Sequence, residues 1–193
     1  MINDLNLEEK TDEELVNIIL ENQNTFSCVV NRYKDKLLRY IRRISSSNLE
    51  DAEDILQNIF IKVYLNLNEF DGSLKFSSWI YRIAHNEVID NYRKKKARPQ
   101  LIDIDIKDSQ IKELAGDTNI IEEISRLELK QNISAAIDEL DLKYQEIIIL
   151  KYIEEKDYQE ISDIIKKPLG TVASRMNKAK AELKKILVNK SSH

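Results

Sequence analysis

A basic stretch near the end of the chain has the residue types and spacing of a helix that binds a DNA groove. Apolar residues recur with helical spacing from Val172 to Leu187, and the opposite face is basic and polar. Arginine, lysine, serine and asparagine side chains can hydrogen-bond to base edges or hold phosphates. The side chains that we expect to contact DNA are Thr171, Ser174, Arg175, Asn177 and Lys178.

A short helix and a tight turn precede this basic helix. Asp157 and the glutamate three residues after it have the pattern of a capping box, which predicts a helix start. Pro168 ends that helix, because proline cannot continue a preceding helix. Either Gly170 or Thr171 is then predicted to cap the basic helix. The pattern indicates a helix-turn-helix at about 157–185, whose second helix would enter a major groove. The alternative is an amphipathic hairpin whose lysines only keep it soluble; the caps and the one-sided charge favour DNA binding.

The rest of the chain also has the pattern of helices joined by short turns. Thr11 with Glu14 forms a second capping-box pattern, and apolar residues follow at helical spacing through to Ile44. A third helix is predicted from about Glu50, and Ser77 or Ser78 is predicted to cap a fourth that runs to about Lys96. Asp141 is predicted to cap a helix of the second half. Strand patterns are almost absent.

The helical periodicity fails between Ala97 and Asn119, a stretch that contains Pro99 and Gly116 and more acids than bases. Such a stretch is typical of an interdomain linker. We therefore predict an all-α fold with two small helical domains, 1–97 and 121–193, joined by a flexible acidic linker at 98–120.

The composition argues against several classes of function. The chain has 193 residues and a net charge of -4, and its single cysteine, Cys28, allows neither a disulfide framework nor a cysteine zinc site. A helical di-metal site would want Glu-x-x-His pairs, but Arg82 lies three residues before His85. We also find no glycine-rich phosphate loop, signal peptide or long apolar run. We expect a cytoplasmic protein that is not an enzyme and has no metal, cofactor or small-molecule substrate, and we expect His85 at the surface or facing a partner.

Three segments resemble one protein family. YQEISDIIKKPLGTVASRMNKAKAELKK (158–185) resembles region 4 of the sigma-70 family, specifically its extracytoplasmic-function (ECF) group. DAEDILQNIFIKVY (51–64) resembles region 2.2 of that family, and FSSWIYRIAHNEVIDNYRKKK (76–96) resembles regions 2.3 and 2.4. The resemblance covers Phe26 to Leu187, with both domains in the expected order. It implies a promoter-specificity subunit of bacterial RNA polymerase, whose partners are core polymerase, promoter DNA and, generally in this group, an anti-sigma factor.

The resemblance also implies roles for the first domain. The outer face of the segment similar to region 2.2 would dock on core polymerase through Asp54, Gln57, Asn58, Ile61 and Lys62. The segment similar to regions 2.3 and 2.4 would hold the melted -10 strand, a task that needs aromatic or amide surfaces for bases and cations for phosphates. Its candidates are Trp79, Asn86, Asp90, Asn91, Tyr92, Arg93 and Lys94. For Trp79 a structural role in the core is favoured over base stacking.

Two positions depart from the pattern GTVxSRxxxA of the family's -35-binding helix and its preceding turn. Ala173 stands where a basic residue is common, so one expected contact is missing. Lys166 stands where relatives usually carry the turn glycine, and a left-handed conformation there would cost on the order of 1 kcal/mol. An autonomous helix-turn-helix repressor or activator remains the alternative function. It would leave residues 51–96 without a role, and we find no heptad run for a dimer.

Overall fold

The computed structural model describes residues 7–45, 47–97, 129 and 131–191. Within these ranges the chain forms helices and turns without strands, as predicted. The helices are α1 (Asp12–Glu21), α2 (Ser27–Ser45), α3 (Leu49–Leu65), α4 (Phe76–Ala97), α5 (131–138), α6 (Leu142–Tyr152), α7 (Tyr158–Ile165) and α8 (Leu169–Ser191), with single 3-10 turns at Gln23–Phe26 and Leu67–Glu69. The predicted linker lies outside the described residues, and the exact domain bounds stay a prediction.

Two capping boxes are confirmed. The Thr11 hydroxyl accepts from the Glu14 N–H and the Glu14 carboxylate accepts from the Thr11 N–H, which fixes the start of α1. Asp157 and Glu160 make the same reciprocal pair at the start of α7. These contacts occur within three residues, so the local pattern determines them.

Other predicted caps are wrong. α4 begins at Phe76, so Ser77 and Ser78 lie in its first turn, and the buried Ser78 hydroxyl has no hydrogen-bond partner among the described residues. Instead, the Phe76 N–H donates to Glu13 Oε1 of α1 at 3.2 Å. A carboxylate at this helix start suits both the unpaired N–H groups and the helix dipole.

The helix-turn-helix begins its second helix differently from the prediction. α8 begins at Leu169, before Gly170 and Thr171, and the Thr171 N–H donates to the Pro168 carbonyl at 2.8 Å. Asp141 does precede α6, but its carboxylate binds Lys143 at 2.9 Å and makes no cap hydrogen bond. Pro168 directly precedes α8, its ring fixes φ at that position, and its carbonyl also accepts the Val172 N–H at 3.1 Å.

The first half packs α2, α3 and α4 around one apolar core. Its largest fully buried side chains are Leu15, Ile19, Leu37, Tyr40, Ile41, Ile55, Ile59, Phe76, Ile80 and Tyr81. α1 is held to α2 because the Asp12 carboxylate contacts both Arg32, at 2.8 Å, and the Tyr33 hydroxyl. α1 is therefore part of the packed first half that positions α4.

The second half is built around α6. Every residue from Tyr144 to Leu150 is buried, which is typical of a helix that has neighbours on all sides. α8 packs along α6 and α7 through Val172, Met176 and Ala179. The two halves contact each other where α7 lies against α4 and α6 lies against α2.

Candidate nucleic-acid interface

The outer face of α3 carries the five residues predicted to bind core polymerase. Asp54, Gln57, Asn58, Ile61 and Lys62 are all exposed, because they lie opposite the buried stripe of the same helix. Ile61 is 56% exposed, so it places a large apolar side chain among these polar residues. The structure thus brings the five together on one polar face with an apolar centre.

The apolar part of this face continues beyond the predicted set. Tyr64 and Leu65, at the end of α3, are 41% and 67% exposed. The Tyr64 ring meets Phe26 edge-on with centroids 5.1 Å apart, and its hydroxyl donates to Gln23 Oε1. The sequence contained a signal for both residues, because they follow Ile61 by three and four positions.

Lys62 has a second partner that the local sequence does not reveal. Its Nζ lies 2.5 Å from Glu87 Oε2 of α4, and the Glu87 side chain is only 11% exposed. A buried carboxylate requires such a partner, because an uncompensated buried charge is costly. Lys62 therefore joins the outer face of α3 to the helix predicted to bind DNA.

Trp79 lies at the edge of the core. Its ring packs edge-on against Phe70 at 5.5 Å between centroids and lies 5.6 Å from the ring of Phe76. It is half-buried and packed against the hydrophobic core. This packing favours a structural role for Trp79. In that role its ring would support residues 70–75, the loop that precedes α4.

The other six residues predicted to contact the -10 strand lie along the second half of α4. Asn86, Asp90, Tyr92, Arg93 and Lys94 are exposed, and Asn91 is half-buried. Arg93 forms an ion pair with Asp90 one turn away, at 3.7 Å. This part of α4 combines an aromatic ring, amides and cations, the chemistry that holds an unstacked strand.

His85 differs from its predicted surface position. Its ring is half-buried between the two halves of the chain, and Nδ1 hydrogen-bonds to Glu146 Oε1 of α6. The Tyr40 hydroxyl donates to the same oxygen at 2.8 Å. Burial and the nearby Glu146 charge raise the pKa of Tyr40, so its hydroxyl stays protonated as a donor.

The turn of the helix-turn-helix contains a strained residue, as the sequence suggested. Lys166 has φ 49° and ψ 52°, the left-handed conformation that disfavours residues with a Cβ. The Lys167 N–H donates to the Ser162 carbonyl at 3.2 Å, and the Ser162 hydroxyl donates to the Lys167 carbonyl at 2.6 Å. This reciprocal pair closes the turn and sets the direction of α8.

The polar face of α8 is open. Ser174, Asn177 and Lys178 are exposed, whereas Thr171 and Arg175 are half-buried. Without DNA, the Ser174 hydroxyl donates to the Thr171 carbonyl of its own helix at 3.1 Å. The structure therefore places the five predicted residues in the first three turns of one helix, and three of them are fully accessible.

No three His, Cys, Asp or Glu side chains in the described ranges lie close enough together to hold a metal ion. Among the described helices, none is both long and apolar enough to cross a membrane.

Comparison with known proteins identifies the family. The family model "Sigma-70 region 2" matches residues 29–98, and "Sigma-70, region 4" matches residues 130–183. The ECF RNA polymerase sigma factor SigW of Bacillus subtilis is 37% identical over 170 residues, which cover 86% of this chain and 90% of SigW. The chain belongs to the ECF sigma factors. This ECF sigma factor is also 32% identical over 181 residues to the sigma-E factor of Escherichia coli, with 90% and 92% of the two chains covered.

Two solved structures share the fold of this ECF sigma factor. CnrH, in complex with the cytosolic domain of CnrY, gives a TM-score of 0.67 at 23% identity and covers 93% of this chain and 99% of its own. RpoE of Bartonella quintana, in complex with the anti-sigma factor NepR, gives 0.62 at 21% identity and covers 84% and 96%. The matches of the two family models and of SigW confirm the resemblance drawn from residues 51–64, 76–96 and 158–185.

Proposed function

We propose that this ECF sigma factor directs promoter-specific initiation through three separate faces. The outer face of α3 docks on core polymerase, the second half of α4 holds the melted -10 strand, and the polar face of α8 contacts the duplex -35 element. The observation that carries this division is the open polar face of α8, because Val172, Met176 and Ala179 on the other side of the same helix are buried.

The chemistry of α8 supports contact with duplex DNA. Exposed Asn177 can form paired hydrogen bonds to adenine, and Lys178 can bind phosphate or guanine. Arg175 is half-buried, and an arginine can bury its aliphatic stem while its guanidinium reaches a base or a phosphate.

The chemistry of α4 supports contact with a single strand. Tyr92 is 43% exposed and is followed directly by Arg93 and Lys94. An aromatic side chain can stack on an unpaired base while adjacent cations hold the backbone. Trp79 is better explained by its packing on Phe70 and Phe76, and a DNA contact from it stays a prediction.

Run-off transcription tests the division of labour. The protein is combined with core RNA polymerase from the host bacterium over a randomised promoter library, and core binding is measured separately by fluorescence anisotropy. Arg175→Ala should reduce promoter-specific transcription by about 5- to 150-fold, the equivalent of 1–3 kcal/mol for a base-contacting arginine, with core binding unchanged. Lys185→Ala, an exposed change further along α8, is the matched control. Ile61→Asp should weaken core binding itself, and transcription should then fall only as far as less holoenzyme is formed. Equal loss of both activities in Arg175→Ala would contradict the division.

The family membership argues against the alternative drawn from the sequence, an autonomous repressor or activator. It predicts tight, sequence-specific binding to duplex DNA by the pure protein, whereas a polymerase subunit with net charge -4 should bind weakly alone. A mobility-shift assay with and without core polymerase distinguishes the two, because specificity that needs no polymerase would favour the repressor.

We further propose that this chain catalyses no reaction itself and acts in the cytoplasm, where core polymerase carries out the chemistry. An anti-sigma partner is proposed by analogy, because CnrH and the Bartonella RpoE are seen in complexes with CnrY and NepR. Purification of the tagged protein from its host tests this proposal. A stoichiometric partner that blocks run-off transcription when added back would support it.

A further inference from the structure

Two lysine–tyrosine pairs lie together at the end of α6. Lys180 Nζ of α8 lies 5.7 Å from the centroid of the Tyr152 ring, and Lys151 Nζ lies 5.6 Å from the centroid of the Tyr158 ring of α7. A cation and an aromatic ring at such distances attract each other. Tyr158 is also an electrostatic neighbour of Lys180, so the four side chains form one cluster that joins α6, α7 and α8.

The Tyr152–Lys180 pair of this cluster is accessible. Tyr152 is 56% exposed and Lys180 is exposed, whereas Lys151 and Tyr158 are half-buried. Packing within the described chain therefore uses less than half of the surface of Tyr152. Neither Lys151 nor Lys180 forms an ion pair with a carboxylate of the described residues. The cluster thus presents two cations and an exposed hydroxyl to a ligand from outside.

The accessible pair borders the polar face of α8 that is proposed to contact the -35 element. Ala173, Asn177 and Lys180 are spaced by four and three residues, so they lie in one row along the helix. Position 173, where relatives commonly carry a basic residue, is alanine in this chain. Lys180 is therefore the first cation of this row, and Tyr152 is the residue of α6 that lies beside it.

The position of Lys180 along α8 favours the DNA backbone over the bases as its ligand. Lys180 follows Thr171 by nine residues, which is about 14 Å along a helix. The major groove of B-DNA is about 12 Å wide. A helix whose first turns lie on the bases therefore brings Lys180 to the phosphates at the groove edge. Lysine amines and tyrosine hydroxyls are both common donors to phosphate oxygens.

We propose that Tyr152 and Lys180 form a binding site for a backbone phosphate of duplex DNA at the edge of the -35 element. The site rests on the proposed function, because it requires the polar face of α8 to contact that duplex. It adds a residue of α6 to an interface that α7 and α8, the helix-turn-helix, would otherwise form alone. The contact strengthens and positions binding without reading a base, since the phosphate is the same in every sequence.

The salt dependence of promoter binding tests this site. The probe is a duplex promoter selected by the run-off assay, and holoenzyme binding is measured by fluorescence anisotropy at several salt concentrations. Lys180→Ala should make the slope of log affinity against log salt shallower by about 0.9, the contribution of one phosphate contact. Its effect should be the same for every base substitution in the -35 element, unlike that of Arg175→Ala. Lys36→Ala is the matched control, because it removes an exposed lysine that lies 5.9 Å from the Tyr33 ring of the first half, and it should leave the slope unchanged.

A second variant and a modified probe locate the contact. Tyr152→Phe keeps the ring and removes the hydroxyl, so it should weaken binding by about 2- to 10-fold without changing the slope. Single phosphates of the -35 duplex are then replaced by uncharged methylphosphonates. One position should weaken binding of the unaltered holoenzyme but not of Lys180→Ala, because two changes to the same contact are not additive.

The same measurements distinguish failure of this site from failure of the proposed function. A slope for Lys180→Ala equal to that for Lys36→Ala would overturn the phosphate site, as would identical methylphosphonate profiles for Lys180→Ala and the unaltered protein. Weaker binding of core polymerase by Tyr152→Phe or Lys180→Ala, with an unchanged salt slope, would assign the surface to a protein partner and also overturn it. A library that yields no promoter would remove the proposed function and this site together, whereas a selected promoter with an unchanged slope removes the site alone.

Discussion

The amine of Lys62 lies 2.5 Å from the carboxylate of Glu87, and this ion pair connects the predicted polymerase-binding face of α3 to the predicted DNA-binding helix α4. Lys62 is about half exposed, so it can meet a partner protein while it neutralises Glu87. A partner that displaces Lys62 would break its ion pair with Glu87 and so act directly on α4.

Replacement of Lys62 should therefore affect the free protein. Lys62→Ala leaves Glu87 largely buried without its partner, and should lower the free energy of unfolding by about 1–2 kcal/mol. Urea unfolding of the free chain measures this. Lys62→Arg should restore most of the loss, and Gln57→Ala, on the same exposed face, should cost close to nothing. Unchanged stability in Lys62→Ala would mean that the ion pair carries no structural role.

The left-handed turn residue gives a change that should stabilise the protein. Glycine adopts φ 49° without steric penalty, so Lys166→Gly should raise the free energy of unfolding by about 0.5–1 kcal/mol after its greater unfolded-state entropy is subtracted. The melting temperature should rise by roughly 1–4 °C. Lys167→Gly, at a neighbouring position with ordinary φ, should lower it. A lower melting temperature for Lys166→Gly would contradict the strain argument.

A basic residue introduced at position 173 of α8 should strengthen the binding of promoter DNA. Ala173→Arg should add one phosphate contact beside Ser174, because position 173 lies within the predicted DNA-binding turns. The logarithm of holoenzyme affinity for promoter DNA, plotted against the logarithm of salt concentration, should become steeper by about 0.9. Ala181→Arg adds the same charge two turns further along and should change the slope less. Equal slopes for both variants would indicate only a general effect of charge.

Acid should weaken the start of α7 in a defined direction. The Glu160 N–H holds the pKa of Asp157 below its usual value of about 3.8, and Lys75 lowers it further. A lowered folded-state pKa means that this carboxylate stabilises the fold above its unfolded pKa, and that the contribution is lost as the pH falls through the folded value.

Two substitutions isolate that contribution. Asp157→Asn keeps a capping acceptor without a charge, so the unfolding free energy should fall less steeply between pH 5 and pH 3 than in the unaltered protein. Asp157→Ala should lose about 1 kcal/mol already at pH 7. Urea unfolding at several pH values measures both effects, and identical pH profiles for the aspartate and asparagine proteins would contradict the assignment.

What the sequence could predict depended on the separation of the interacting residues. The Thr11 and Asp157 capping boxes are three-residue patterns, and Lys166 was identified by its place in a short motif. By contrast, the Tyr40–Glu146 bond joins residues 106 positions apart, and the Phe76–Glu13 bond joins residues 63 apart. No periodicity encodes such pairs, because each is determined by how whole helices pack. For the same reason Ser77 was a plausible cap in isolation and His85 a plausible surface residue.

The candidate site residues also separate into those whose environment follows from the local pattern and those whose environment does not. Helical spacing placed Asp54, Ile61 and Asn177 on outward faces correctly, because exposure on an amphipathic helix follows from the position of its apolar stripe. For Trp79 the sequence favoured a core role but left base stacking open, since an aromatic residue at the edge of a core and one at the surface have the same local pattern. What these residues bind stays a prediction that the experiments above address.

The start of α4 has a consequence for exchanging parts between relatives. The carboxylate that caps Phe76 belongs to Glu13, yet the family model for region 2 begins at residue 29. A chimera assembled at the conserved boundary would transplant α4 without its cap and without the Asp12 contacts that hold α1 in place. The unit that must be transferred with α4 is therefore longer than the conserved domain and includes α1.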